Sequence, residues 1–161
     1  MGMTIVEIMK IKKATHKDLP AILEMEAMLV GNKEAHTDLI KRSIANGECL
    51  VALIEGKVVG ASILNYTFYY QGWMDLLNVN SAYRRRGVAT ALIRRMEELC
   101  TTPKFFTSTN HSNLPAQKTY EANGFVRTGY IENLDEGDPE IIYFKRLGLT
   151  EGGGKNEHGH V

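Results

Sequence analysis

Arg84, Arg85 and Arg86 stand directly before Gly87, with the small residue Ala89 two places on, in the run Asn78-Val79-Asn80-Ser81-Ala82-Tyr83-Arg84-Arg85-Arg86-Gly87-Val88-Ala89-Thr90. An apolar stretch over residues 73–79 leads in, and an amphipathic stretch over 88–100 leads out. The spacing therefore predicts a strand, a basic turn and a helix start. The first amides of a helix have no intrahelical partner and carry partial positive charge. Gly87 lets a ligand close on the backbone, and Ala89 adds little bulk. With arginines at the mouth, the arrangement suits an anion, above all a phosphate or pyrophosphate. It is neither a Walker loop, G-x-x-x-x-G-K-[ST], nor a dinucleotide loop, G-x-G-x-x-G. A solvated basic turn between two elements is the other reading these residues leave open.

A second spacing is Asn113-x-x-Ala116-x-x-x-Tyr120-x-x-x-Gly124-Phe125. On a helix, offsets of three and seven put Asn113, Ala116 and Tyr120 on one stripe. A tyrosine there can give its phenolic proton to a leaving group, or it is a half-buried ring with a satisfied hydroxyl. Asn113 either contacts a ligand or caps the helix. Asp75 shares strand parity with Val79, which puts both on one face unless a bulge intervenes. It is a candidate proton acceptor or an exposed carboxylate near a strand start, and His111 is a second candidate. His16 and His36 are expected at the surface. Nothing completes a metal site around His158-Gly159-His160, so no metal is expected.

The periodicities predict the elements that position these residues. Residues 7–13 alternate apolar and charged, as a strand does. Thr15-His16-Lys17-Asp18 offers helix-start chemistry, with Asp18 as cap and Pro20 in the first turn. Ile22, Leu23, Met25 and Leu29 carry that helix to a stop at Gly31-Asn32, and a second helix is expected over 37–46. Residues 49–54, a turn at Glu55-Gly56-Lys57, residues 58–69, a turn at Gln71-Gly72 and residues 73–80 make an antiparallel meander. After the helix over 88–100, residues 104–109 form a short strand. A helical crossover makes it parallel to 73–79. A helix over 114–123 follows, with Pro115 in its first turn and Gly124 past its end. Residues 125–132 and 141–145 make a last hairpin around the acidic Glu132, Asp135, Glu136, Asp138 and Glu140. That cluster is either a rim that draws a cation or a soluble turn.

The chain has 161 residues, 43% hydrophobic and 24% charged, with zero formal net charge. This suits one globular domain, placed over residues 1–147, with a flexible Gly-rich tail over 148–161. Neutral charge, and Glu97 and Glu98 directly after Arg94 and Arg95, argue against a nucleic-acid partner. No run is long and apolar enough to cross a membrane, and no secretory signal opens the chain. Cys49 and Cys100 match no metal or redox spacing, and both are expected as buried free thiols in a reduced cytoplasmic compartment.

Arg84-x-x-Gly87-x-Ala89 resembles the pyrophosphate signature R/Q-x-x-G-x-G/A of the GNAT superfamily of acyl-CoA-dependent N-acyltransferases. Asn113 to Phe125 resembles that family's N-x-x-A-x-x-x-Y-x-x-x-G-F helix. The element order β-α-α-β-β-β-α-β-α-β-β is also similar, over residues 8–147. The resemblance implies an α/β (α+β) fold: a mixed, mostly antiparallel sheet of six to seven strands with flanking helices. It implies acetyl-CoA as cosubstrate. The pyrophosphate would lie on Arg84, Arg85, Arg86, Gly87, Val88, Ala89 and Thr90, and the pantetheine arm along Leu77, Asn78 and Val79, with Asn113 a further contact. An amide near Leu77 would face the developing oxyanion and Tyr120 would protonate the departing thiolate; for the amine proton, strand parity offers Asp75, directly or through water, with His111 the second candidate. The acceptor would be a small-molecule or peptide amine and the protein a monomer or homodimer. The alternative is a non-catalytic acyl-CoA-binding module of the same fold. Ser81 departs from a frequent proline and Arg85 from a frequent glycine.

Overall fold

The computed structural model describes residues 8–26 and 33–148. Its elements run β1 (Met9–Lys13), α1 (Leu19–Glu26), α2 (Lys33–Ala45), β2 (Cys49–Ile54), β3 (Lys57–Phe68), β4 (Gln71–Val79), α3 (Val88–Leu99), β5 (Lys104–Asn110), α4 (Leu114–Ala122), β6 (Val126–Ile131) and β7 (Glu140–Arg146). Short 3-10 turns occupy His16–Asp18 and Ser81–Tyr83. The strands form one seven-stranded sheet in the order β1-β2-β3-β4-β5-β7-β6. Only the β4–β5 pair is parallel, across the α3 crossover.

Each face of the sheet has its own core. Val88, Leu92, Ile93 and Met96 form the apolar stripe of α3 and pack with Met74, Phe105, Tyr120, Phe125 and Tyr143. On the other face Ile22 of α1 and Ile40 and Ile44 of α2 pack with Val51, Ala61, Ile63 and Leu76. Full burial of such side chains contributes about 1.5–3 kcal/mol each.

Three local expectations shift. The first helix opens at Thr15 and not at Asp18: the Thr15 N–H donates to Asp18 Oδ2 at 2.8 Å, so Asp18 is the acidic member of a capping box. Burial pushes the Asp18 carboxyl up, but the Thr15 amide and Lys12 outweigh it and hold it below its ordinary range. α2 begins at Lys33, because Thr37 lies inside it and its hydroxyl donates to Lys33 O at 2.8 Å. The β3–β4 turn falls on Tyr69 and Tyr70, both left-handed at φ 50° and 63°, not on Gln71-Gly72. That conformation costs about 1–2 kcal/mol per non-glycine residue. Phe68 stacked on Trp73 across the turn, at 4.6 Å, helps to hold it. The expected helix stop at Gly31-Asn32 lies outside the described residues, as does the expected tail apart from Gly148.

Gly72 is used for closeness. A Cβ there would sit 2.4 Å from Cys100 Sγ and 3.2 Å from Thr102 Oγ1. The Gly72 N–H donates to that Thr102 hydroxyl at 2.9 Å, tying the start of β4 to the end of the α3 crossover. Cys100 is partly exposed, unlike the buried Cys49, and its sulfur lies 3.5 Å from Thr102 O. Gly72→Ala should destabilise the chain by ~1–3 kcal/mol in denaturant melts. Adding Cys100→Ala should recover part of that loss. Equal loss with and without Cys100 would remove close approach as the cause.

Candidate active site

Backbone pairing between β4 and β5 covers only Gly72 with Phe105 and Trp73 with Phe106. One further link crosses between them: the Thr107 hydroxyl donates to Met74 O at 3.0 Å. Beyond it the strands part. On the other edge of β4, the Asn80 N–H donates to Val59 O at 2.8 Å. Non-hydrogen-bonded and hydrogen-bonded positions alternate along an antiparallel pair. With Gly60 opposite Val79 and Ser62 opposite Leu77, the backbone groups of Leu77 and Val79 turn away from β3, toward the gap. Among the described residues they meet no ladder partner there.

A cleft of about 900 Å³ runs from this gap between the basic turn and α4. Leu77, Asn78, Val79, Arg84, Arg85, Gly87, Val88, Ala89, Thr90, Asn113 and Tyr120 all line it. Arg86 and Asp75 do not. The Arg86 guanidinium lies 5.1 Å from the centre of the Tyr83 ring, a cation–π placement beside the cleft. Asn78 borders the cleft, but its backbone pairs with Ala61 of β3 and its side-chain amide donates to Met25 O of α1 at 3.3 Å.

The basic turn holds an uncapped helix end. Gly87 is the cap residue of α3 at φ 80° and offers no side-chain bond. The first helical bond runs from Ala91 N to Gly87 O at 3.0 Å, which leaves the N–H groups of Val88, Ala89 and Thr90 without a helix acceptor. A Cβ on Gly87 would meet nothing within 4 Å. The space beside Gly87 is open, and free helix-end amides with arginines at hand suit an anion such as a pyrophosphate. Arg84 and Arg85 are exposed at its mouth.

Tyr120 is 7% exposed. Its hydroxyl donates a long bond to Ser108 O of β5, 3.4 Å, and its ring packs edge-on to Tyr143 at 5.4 Å. Burial pushes the phenol above its ordinary value. The Thr107 hydroxyl opposes that shift, and the charges of Glu140 and Tyr143 add to it. The group therefore keeps its proton beside the strand gap. Asn113 caps α4, accepting from Ala116 N at 3.3 Å, while it also lines the cleft.

The parity of Asp75 with Val79 does not survive. Ile63 pairs with Leu76 and Leu64 with Met74, so Asp75 is the extra residue of a bulge. Leu77 and Val79 pack toward the α3 core, whereas the Asp75 carboxylate accepts from Asn65 Nδ2 at 2.8 Å. Asn65 follows Leu64, which is in the α3 core, so Asn65 and Asp75 lie on the opposite, α1/α2, face. His111 is exposed in the turn after β5 and is not part of the cleft wall.

Sequence reasoning missed four contributors. Lys118 of α4 lines the cleft; its place on the exposed side of the Tyr120 helix was the available signal. Asn65, Thr107 and Ser108 act through contacts between distant strands, which no local spacing reports. The acidic loop is partly structural: Asn110 Nδ2 donates to Asp135 Oδ2 at 2.6 Å, and Ser112 N donates to Asp138 Oδ1 at 2.9 Å. The Ser112 bonds hold the Asp138 carboxyl below its ordinary range. Cys49 is no nucleophile, since burial and then Asp18 push its thiol up to about 12. Among the described residues no three His, Cys, Asp or Glu side chains gather as a metal would require.

Residues 14–125 match the sequence profile of the acetyltransferase (GNAT) family. The chain belongs to that family. It is similar to a GNAT-family acetyltransferase structure from Bacillus cereus ATCC 10987, with 36% identity and a TM-score of 0.81 over 88% of this chain and 99% of that one. The Salmonella typhimurium protein yncA, solved with its cofactor acetyl-CoA, has the same fold at 15% identity and a TM-score of 0.70, over 91% of this chain and 98% of that one. N-alpha-acetyltransferase 30 of Xenopus laevis is 31% identical over 88 residues, 49% of this chain and 32% of that protein. The chain thus spans about a third of the length of this curated relative.

The departures from the GNAT pattern have local explanations. Arg85 stands where glycine is frequent, and its φ of 64° is the left-handed conformation that glycine adopts freely. Ser81 stands where proline is frequent and opens a 3-10 turn capped by Asn80, whose Oδ1 accepts from Ala82 N at 3.0 Å. CoA should raise the melting temperature by mass action. Gly87→Glu, which puts a carboxylate into the open space, should abolish most of that rise while the chain stays folded. An undiminished rise in the folded variant would remove the anion site from this turn.

Proposed function

We propose that the chain is an N-acetyltransferase that moves the acetyl group of acetyl-CoA to a primary amine by direct attack. The observation that carries this reading is the parted β4–β5 pair, with the unpaired backbone of Leu77 and Val79 on one side and the buried, protonated Tyr120 on the other. Acetyl-CoA supplies the acetyl group as a thioester. Val88, Ala89, Thr90, Arg84 and Arg85 hold its diphosphate end, Arg86 adds charge beside them, and Val79 offers backbone bonds to the pantetheine amides, with Asn78 bordering the arm. Asn113 and Lys118 border the same cleft.

The residues divide the work by proton and charge. The Leu77 N–H serves the oxygen on which negative charge develops, a donor typically worth ~3 kcal/mol. Tyr120 Oη gives its proton to the leaving sulfur and is restored, through water, by the proton that the attacking nitrogen sheds after addition. Asp75, on the other face of the sheet, receives the proton of the incoming ammonium, directly or through water, so that a neutral amine attacks. Across the cycle the ammonium loses two protons: one ends on the thiol through Tyr120 and one is released.

The acceptor is a small-molecule or peptide amine, a range the N-alpha-acetyltransferase relative supports at its peptide end. The working unit is one domain over residues 1–147, a monomer or homodimer in the cytoplasm; no helix among the described residues is long and apolar enough to cross a membrane. A non-catalytic acyl-CoA binder is the competing reading. It keeps the CoA-dependent rise in melting temperature but releases no thiol with any amine in a broad acceptor screen.

Tyr120→Phe should lower the single-turnover rate by ~100-fold while CoA affinity and folding are retained. Because burial raises the phenol, the alkaline loss of rate in the wild type should fall above its ordinary value of 10. An unchanged rate in the variant would remove the acid role. For the acidic loop, Glu132→Gln with Glu136→Gln should raise the apparent KM of a cationic acceptor, less so at high salt. Asp135→Asn with Asp138→Asn should instead loosen the loop from Asn110 and Ser112, which limited proteolysis reads. If the glutamate pair leaves KM and its salt dependence unmoved, the loop is a turn only.

A further inference from the structure

On the α1/α2 face, next to Asp75, lies an aromatic cluster that neither core absorbs. Trp73 precedes Asp75 by two on β4, and both lie on the face opposite Met74. Phe106 pairs with Trp73 in register on β5, and Phe144 pairs with Phe106 on β7. Their rings form a continuous shelf, with Phe106 5.2 Å from Phe144 and 5.1 Å from Phe68, itself stacked on Trp73. All are partly exposed. Among the described residues they pack against one another and against neither of the two cores. A soluble domain leaves such a contiguous apolar surface open mainly where something binds.

Two carboxylates border the same face. Asp75 is held by Asn65, which is 4% exposed and whose own carbonyl oxygen accepts from Thr67 Oγ1 at 2.8 Å. That network fixes the carboxylate in the bulge, at the point where β4 and β5 begin to part. Glu140 opens β7 opposite Asn110 of β5. Ile141 and Tyr143 of β7 face the α3 core, so Glu140 and Phe144 point to the Asp75 side. Glu140 is also near enough to Tyr120 for its charge to act on the phenol.

We propose that this face is the acceptor subsite and that it selects a primary amine carried on an aromatic or flat apolar body. The ammonium sits by Asp75, with Glu140 adding negative potential from β7, and the body lies on Trp73, Phe106 and Phe144. Aromatic contacts favour such a ligand over an extended polyamine, which has no flat apolar body to lay on the rings. This rests on the acetyltransferase reading, since it names the acceptor of that same site. It goes beyond the acidic loop by placing recognition on the sheet itself.

Trp73 is the chain's single tryptophan, so its emission reports binding without turnover. Phenethylamine should change that emission saturably, and bind roughly tenfold more weakly to Phe106→Leu and to Asp75→Asn. Phe144→Leu gives a second ring deletion if Phe106→Leu folds poorly. Spermidine should bind more weakly than phenethylamine. The proposal is overturned if phenethylamine leaves Trp73 unmoved in protein that CoA still stabilises, if neither ring deletion weakens binding, or if spermidine binds more tightly. Failure of CoA to stabilise the wild type would instead bring down the acetyltransferase reading, and the subsite with it.

Discussion

The hydrogen bond from Thr107 to Met74 O is the last link between β4 and β5, and the site depends on its being the last. Below it the two strands pair as a parallel ladder; above it they separate. The Asp75 bulge in β4 falls at the same level. A bulge increases local twist and re-aims side chains, and here it does both. It turns Leu76 into the α1/α2 core and Leu77 into the α3 core. Backbone groups that a sheet would ordinarily satisfy are thereby left facing a cleft, where a ligand with amide groups can satisfy them.

That opening also explains why the site has two sides. The helix end at Gly87, Tyr120 and the cleft lie toward α3 and α4. Asp75, Asn65 and the aromatic shelf lie toward α1 and α2. In the proposed function, donor and acceptor would therefore reach one point from opposite faces without sharing a pocket. The charges follow the same division. Exposed arginines flank the cleft, whereas Asp75 and Glu140 lie on the opposite face of the sheet, so a chain of zero net charge separates its charges around the strand gap.

Much of this is legible in the residues. The strand–turn–helix at Arg84 to Thr90 and the stripe from Asn113 to Tyr120 follow from local spacing, because capping, left-handed turns and helical periodicity are local physics. The parallel placement of β5 follows from the length of its crossover. The faults lie where distant strands decide. The parity of Asp75 fails because a bulge is set by the register between β3 and β4, which no window on β4 contains. The turn at Tyr69-Tyr70 defies its residue types because Gly72 is needed against Cys100 and because Phe68 and Trp73 stack. The acidic run reads as one patch, yet Asp135 and Asp138 are committed to Asn110 and Ser112.

Amide exchange on β4, followed by NMR, reports directly on the opening. Leu77 and Val79 turn their N–H groups to the gap, whereas Asn78 between them pairs with Ala61 of β3. Without CoA, the Leu77 and Val79 amides should exchange much faster than that of Asn78, and CoA should slow both. Leu77 and Val79 as protected as Asn78 in the free protein, or unmoved by saturating CoA, would contradict a cleft built from unpaired strand backbone.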